Sequence, residues 1–143
     1  MLELTADQWA KRLNANWAVT NGSLVPSTAS PPPLTLQQLA QQAMSAGLQI
    51  VSNTDTNLNG VYDVQATTQN HIQAEVVSIL LSGGTFADGS NTIIWPDMVS
   101  INHTFDVPHF QSFAKVVGAY VSTLYKVMNN SVTTLPPNGA NIL

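Results

Sequence analysis

Between Phe110 and Met128 apolar residues recur at Phe110, Phe113, Val117, Val121, Leu124 and Met128, at spacings of 3, 4, 4, 3 and 4. That is the period of an α-helix with one buried face. Val116, Tyr120 and Val127 add a second apolar flank, so the pattern predicts a core helix. Asp106 stands where an N-cap belongs and Pro108 falls in the first turn. Gly118 interrupts the stripe; close packing is the expected reason for a residue that costs about 1 kcal/mol relative to alanine. Thr35-Leu36-Gln37-Gln38 reads as a capping box. The stripe Leu36, Leu39, Ala40, Ala43 and Met44 then predicts a helix that Gly47 ends. A third helical block runs from Thr68 to Leu81. Its apolar residues (Ile72, Val76, Val77, Ile79, Leu80, Leu81) go nearly all the way round, which predicts burial on more than one side, by core or by a partner.

Two ribbons separate these helices. Leu48–Ser52 and Val61–Val64 flank a turn-rich cluster, Asp55 to Gly60, and are expected to pair as a hairpin. Thr92–Trp95 and Ile101–Phe105 predict a second hairpin. The expected architecture is α+β: a small domain of three helices packed on two short β-hairpins over residues 34–128. Residues 1–33 are expected to form an N-terminal helical arm and Pro-rich linker, and residues 129–143 an extended C-terminal tail. In the arm, Thr5-Ala6-Asp7-Gln8 fits a capping box opening a helix from Ala6 to Asn14. Trp9 and Leu13 share one face of it and Trp17 follows. So much apolar surface must be covered, either by the chain's own core or by a neighbouring subunit. Trp9, Leu13 and Trp17 are therefore the candidate partner-binding residues. Asn21-Gly22 marks a turn, and Pro26 to Pro33 a linker with a polyproline stretch.

Composition narrows the function. Charged residues are only 8% of 143, against about 25% in an average soluble domain. Asn, Gln, Ser and Thr supply the polarity, a surface suited to life inside an assembly. Four basic residues (Lys11, Arg12, Lys115, Lys126) cannot track a phosphate backbone, so no nucleic acid is expected. With no cysteine there is no disulfide, thiolate metal site or thiol nucleophile. No apolar run is long enough to span a membrane, and the N-terminus lacks the basic and apolar regions of a signal peptide.

Candidate chemistry is sparse. Asp55, Asn57, Asn59 and Asp63, with Gly60 at the sixth position, match most of an EF-hand calcium loop. The twelfth position, which should carry a bidentate glutamate, is Ala66. An Asn-Gly turn between two strands is the simpler expectation, with no metal and no cofactor. Asp97, His103, Asp106 and His109 lie close in sequence and suggest a His–carboxylate base or a two-His, two-Asp metal site. Their spacing matches no known pattern and no serine elbow accompanies them, so helix capping and strand-edge positions are expected instead. His71 is expected on a solvated helix face, and Trp95 capping the core rather than lining a glycan groove.

Gly60-Val61-Tyr62-Asp63, Ile94-Trp95-Pro96-Asp97, His103-Thr104-Phe105, and Phe113-Ala114 with Val117 and Tyr120-Val121 resemble a small domain of unknown function found in tailed bacteriophages and prophages. That domain is carried by tail-fibre, tail-fibre-assembly and other tail-associated proteins. The resemblance covers residues 34–128 and supplies no catalytic residues. It implies a non-enzymatic virion structural protein, made in the bacterial host cytoplasm. Such a protein would be a tail, baseplate or tail-fibre-associated subunit whose partners are other virion or tail proteins or further copies of itself. A tail-fibre assembly chaperone and a small glycan-binding module are the alternatives.

Overall fold

In the computed structural model the chain divides into two units, residues 1–33 and 34–143, and the described residues are 17–26 and 30–143. In the first unit β1 (Trp17–Thr20) and β2 (Ser23–Pro26) form an antiparallel hairpin, with Trp17 opposite Pro26. Asn21 and Gly22 turn it with positive φ of 50° and 78°, as a two-residue hairpin turn requires. Trp17 is thus a strand residue, and Pro26 closes a strand before any linker begins. The expected helix from Ala6 to Asn14, with Trp9 and Leu13, lies outside the described residues.

The second unit is an α+β domain with three helices, α1 (Leu36–Ala46), α2 (Ala66–Ser82) and α3 (Val107–Met128). The capping box of α1 is complete: Thr35 Oγ1 accepts from Gln38 N at 3.2 Å, and Gln38 Oε1 accepts from Thr35 N at 2.8 Å. Strands β3 (Leu48–Ser52) and β4 (Gly60–Tyr62) pair antiparallel. Strands β5 (Thr92–Pro96) and β6 (Asn102–Asp106) form the second ribbon. Helix α3 starts at an Asp106 cap, whose carboxylate accepts from His109 N at 2.9 Å. It buries Phe110, Phe113, Val117, Tyr120, Val121, Leu124 and Val127 against the rest. Tyr62, Phe86, Trp95, Phe105, Phe110 and Phe113 form one aromatic cluster, with edge-on or tilted rings whose centroids lie 5.1–6.3 Å apart. Each such pair contributes about 0.5–1.5 kcal/mol beyond area burial.

Three expectations are corrected or narrowed. The C-terminal segment is not an extended tail outside the domain. Residues Gly139–Ile142 form β7, which adds to β3 in parallel, from Gln49↔Gly139 to Ser52↔Ile142, and gives the sheet order β4-β3-β7. Ile142 is buried, Asn53 N donates to the carbonyls of Ile142 and Leu143, and the Ser52 hydroxyl donates to the Leu143 carbonyl. The compact unit therefore runs to residue 143, not 128. Second, the domain's own core covers α2 on one face only, which leaves a partner as the expected cover of the rest. Ile72 and Ile79 are buried and Val76 packs beside them, while Val77, Leu80 and Leu81 stand in solvent. Third, Gly118 is not explained by internal packing, because a Cβ there would meet nothing within 4 Å.

Candidate functional site

The four residues Asp97, His103, Asp106 and His109 separate into two independent pairs. The first lies where the β5–β6 turn meets β4. His103 points inward from β6 and is buried. Its Nδ1 lies 2.5 Å from the Asn57 carbonyl; a carbonyl only accepts, so Nδ1 carries the proton. Its Nε2 faces Asp97 Oδ2 at 3.4 Å and makes no hydrogen bond. The Tyr62 ring lies beside the imidazole, with centroids 5.4 Å apart, and the Tyr62 hydroxyl donates to the Leu58 carbonyl at 2.7 Å. Burial, and next the Asp97 charge, push the Tyr62 phenol well above its ordinary range. Gly60 closes the site from β4: a Cβ there would stand 3.3 Å from both Asp97 Oδ2 and His103 Nε2.

Asp97 is the hub of this corner. Its Oδ1 accepts from Val99 N at 3.0 Å and Ile101 N at 2.8 Å, while its backbone N donates to the Ile101 carbonyl at 2.9 Å. Desolvation alone would raise the carboxyl's pKa. The Ile101 amide, the His103 ring facing the other oxygen and the Val99 amide outweigh it and hold the group below the usual carboxylate range. The turn so fixed includes Ser100 with φ of 66°, an uncommon conformation for a residue with a side chain. It turns Met98, Val99 and Ile101 outward, and Ile94 is exposed on the adjoining strand. Met98 N donates to the Val61 carbonyl at 2.8 Å, tying the ribbon to β4. The Met98 sulfur also lies over Gly47, where a Cβ would collide with it and with the Tyr62 carbonyl. Gly47 has φ 80° and ψ −174°, a region essentially restricted to glycine.

The second pair sits at the start of α3. Asp106 Oδ1 lies 2.7 Å from His109 Nδ1, and His109 Nε2 lies 2.8 Å from Thr54 Oγ1. The carboxylate fixes the tautomer, so Nδ1 donates to Asp106 and neutral Nε2 accepts from the threonine hydroxyl. Burial would raise the Asp106 pKa, but the backbone and ring donors of His109 outweigh it and hold the carboxyl low. The order carboxylate–imidazole–hydroxyl is that of an acyl-transfer triad. Such a triad also needs free amides aimed at a developing oxyanion. The amides of Thr54 and Asp55 both donate to Ser52 Oγ, at 3.3 and 3.0 Å. The arrangement therefore clamps the end of β3 to the start of α3.

The calcium-like loop is spent on its own backbone. Asp55 Oδ1 caps a short 3-10 helix, Thr56–Leu58, by accepting from Asn57 N at 3.0 Å. Asn59 Oδ1 accepts from Ser52 N at 2.7 Å, and Asp63 accepts from Gln65 N at 3.1 Å and from the Thr68 hydroxyl. Among the described residues no three metal-ligating side chains converge. Trp95 is buried against Phe110 and Phe113, so its ring faces are not offered to a sugar. His71 is exposed on α2. Among the described residues no helix is long and apolar enough to cross a membrane.

No family model, curated protein or solved structure matches the chain. Sequence reasoning did not find the apolar turn or the Thr54–His109 contact. The turn carried one usable signal: Met98 and Val99 directly follow Pro96-Asp97, where polar turn residues are the rule.

Proposed function

We propose that this protein is a non-enzymatic docking subunit of a larger assembly, with the virion of a tailed bacteriophage as its setting. The observation that carries the docking role is the rigid turn at residues 97–101. A buried carboxylate and two backbone amides hold it, and it presents Met98, Val99 and Ile101 to solvent. A free-standing protein gains nothing from fixing apolar side chains outward, whereas a subunit uses them as anchors. Low charge supports the same reading. Both imidazoles have their ring nitrogens turned to protein groups, which leaves neither aimed at a substrate. The setting rests on the resemblance of residues 34–128 to the tail-associated domain. Trp9, Leu13 and Trp17 remain candidate anchors in the first unit, and other virion proteins or further copies are the partners.

Mass spectrometry of purified particles tests this. Presence at a fixed copy number supports a structural part. Abundance in the lysate with absence from the particle makes the protein an assembly chaperone instead. Val99→Asp with Ile101→Asp should keep the fold and reduce incorporation at least about tenfold, as expected where charge replaces a desolvated anchor. Normal incorporation of that variant would remove the turn from the interface.

A further inference from the structure

The two lysines among the described residues, Lys115 and Lys126, both line one groove. It runs between α2 and α3, where two adjoining concavities of about 450 and 480 Å³ share Ile72, Gln73, Ala114 and Gly118. Its floor is apolar, with Val76 and Val77 from α2 and Val117 and Val121 from α3. No aspartate or glutamate lines it, although acidic residues outnumber basic ones in the chain, 8 to 4. Among the described residues neither lysine makes an ion pair. They stand eleven positions apart on α3, roughly 16 Å along its axis. Between them, one turn beyond Lys115, is Gly118, whose missing side chain leaves open space above the helix.

We propose that this groove receives an acidic amphipathic helix of a partner protein. The inference rests on the docking role proposed above and names a second surface and its ligand chemistry. Apolar side chains of the incoming helix would lie along the floor, its backbone would pass closest at Gly118, and carboxylates on its flanks would meet Lys115 and Lys126. Charge decides among the occupants. A second copy laid face to face would bring lysines into the groove without bringing carboxylates, while an acidic helix supplies both the apolar stripe and the counter-charge.

The test uses the full chain, isotopically labelled, and a peptide probe of about 20 residues, long enough to span the groove as a helix. The peptide carries leucines on one face and glutamates on both flanks; its counterpart carries lysines in place of the glutamates. Amide shifts caused by the glutamate peptide should centre on Val77, Ala114 and Gly118. The lysine peptide should bind at least about tenfold more weakly, and the double variant Lys115→Glu, Lys126→Glu should reverse that preference. Gly118→Leu should weaken the glutamate peptide about tenfold while melting no lower than wild type, since the added side chain enters open space. Equal binding of the two peptides, shifts centred elsewhere, or a preference indifferent to the charge reversal would each overturn the proposal. Self-association of the chain that Gly118→Leu abolishes would also overturn it, by making a second copy the occupant. Incorporation into particles without peptide binding would sink the groove alone; peptide binding without incorporation would sink the virion setting alone.

Discussion

Ile142 offers a sharp test of how the domain is completed. It ends β7, opposite Ser52, and is 2% exposed in the core. Ile→Ala at a buried site costs about 2–5 kcal/mol, the spread reflecting how far the surroundings collapse into the cavity. Ile142 lies on an edge strand of the sheet, where the surroundings can relax, and the lower half of that range applies. A loss of about 2–3 kcal/mol is a large share of the roughly 5–15 kcal/mol that holds a domain folded. For a domain of this size it lowers the melting temperature by about 10 °C. Removing residues 139–143 goes further. It deletes the β3–β7 ladder, the acceptors of Asn53 N and the carbonyl that satisfies the Ser52 hydroxyl. Thermal melting by circular dichroism reads the stability, and hydrogen exchange reads the place: protection should fall first at the β3 amides that face β7. If the truncated chain melts with wild type and β3 stays protected, the segment is the free tail that its polar composition suggests, and the parallel pairing is refuted.

Phe113 is fully buried and touches Tyr62, Trp95, Phe105 and Phe110, so Phe113→Ala should cost about 3–5 kcal/mol in a denaturant titration. Gly118→Ala should stabilise by up to about 1 kcal/mol, because the methyl meets nothing and helix propensity improves; a lower melting point would mean that α3 is packed there after all. The Asp97 carboxyl is held below its ordinary range, so its contribution is present above the unfolded pKa and is lost as pH falls through the lower folded value. Asp97→Asn should therefore flatten the decline in melting temperature on acidification from about pH 5, with the gap to wild type closing at low pH; a gap of constant size from pH 6 to 3 would refute this.

The helices and both hairpins were legible because their signals are local. The α3 stripe, the Thr35–Gln38 box and the alternation around Leu48–Ser52 each declare a period within a few residues. β7 gave no such signal. Gly-Ala-Asn-Ile has one large apolar residue, and its strand character comes from pairing with Gln49–Ser52 some ninety positions earlier. At α2 the six apolar residues could not say whether core or partner covers them; the core covers only the face of Ile72, Val76 and Ile79. For the candidate site, the sequence placed Asp106 correctly as a cap but joined four residues into one cluster. Strand direction decides otherwise: His103 points inward and Asp106 outward on the same strand. Thr54 reaches His109 across 55 positions, from the loop that follows β3, a contact no local pattern announces.

The polar groups most suggestive of chemistry are used to set backbone. At Asp97 one carboxylate oxygen fixes two amides of the turn and the other faces the buried imidazole, so the loop geometry and the His103 environment form a single unit. Gly60 and Gly47 admit that unit by lacking side chains at two of the places where it touches the rest of the domain. At His109 a carboxylate sets the ring and the ring then sets Thr54. Ion pairs and hydrogen bonds of this kind add little net stability but specify geometry. What they specify at the turn is the outward position of Met98, Val99 and Ile101. Reactive groups turned inward with apolar groups fixed outward is the reverse of an active site, where reactive groups face a cleft and apolar ones support them from behind. It is the arrangement expected of a surface that binds by burial, and it is the reason docking is the function proposed for this domain.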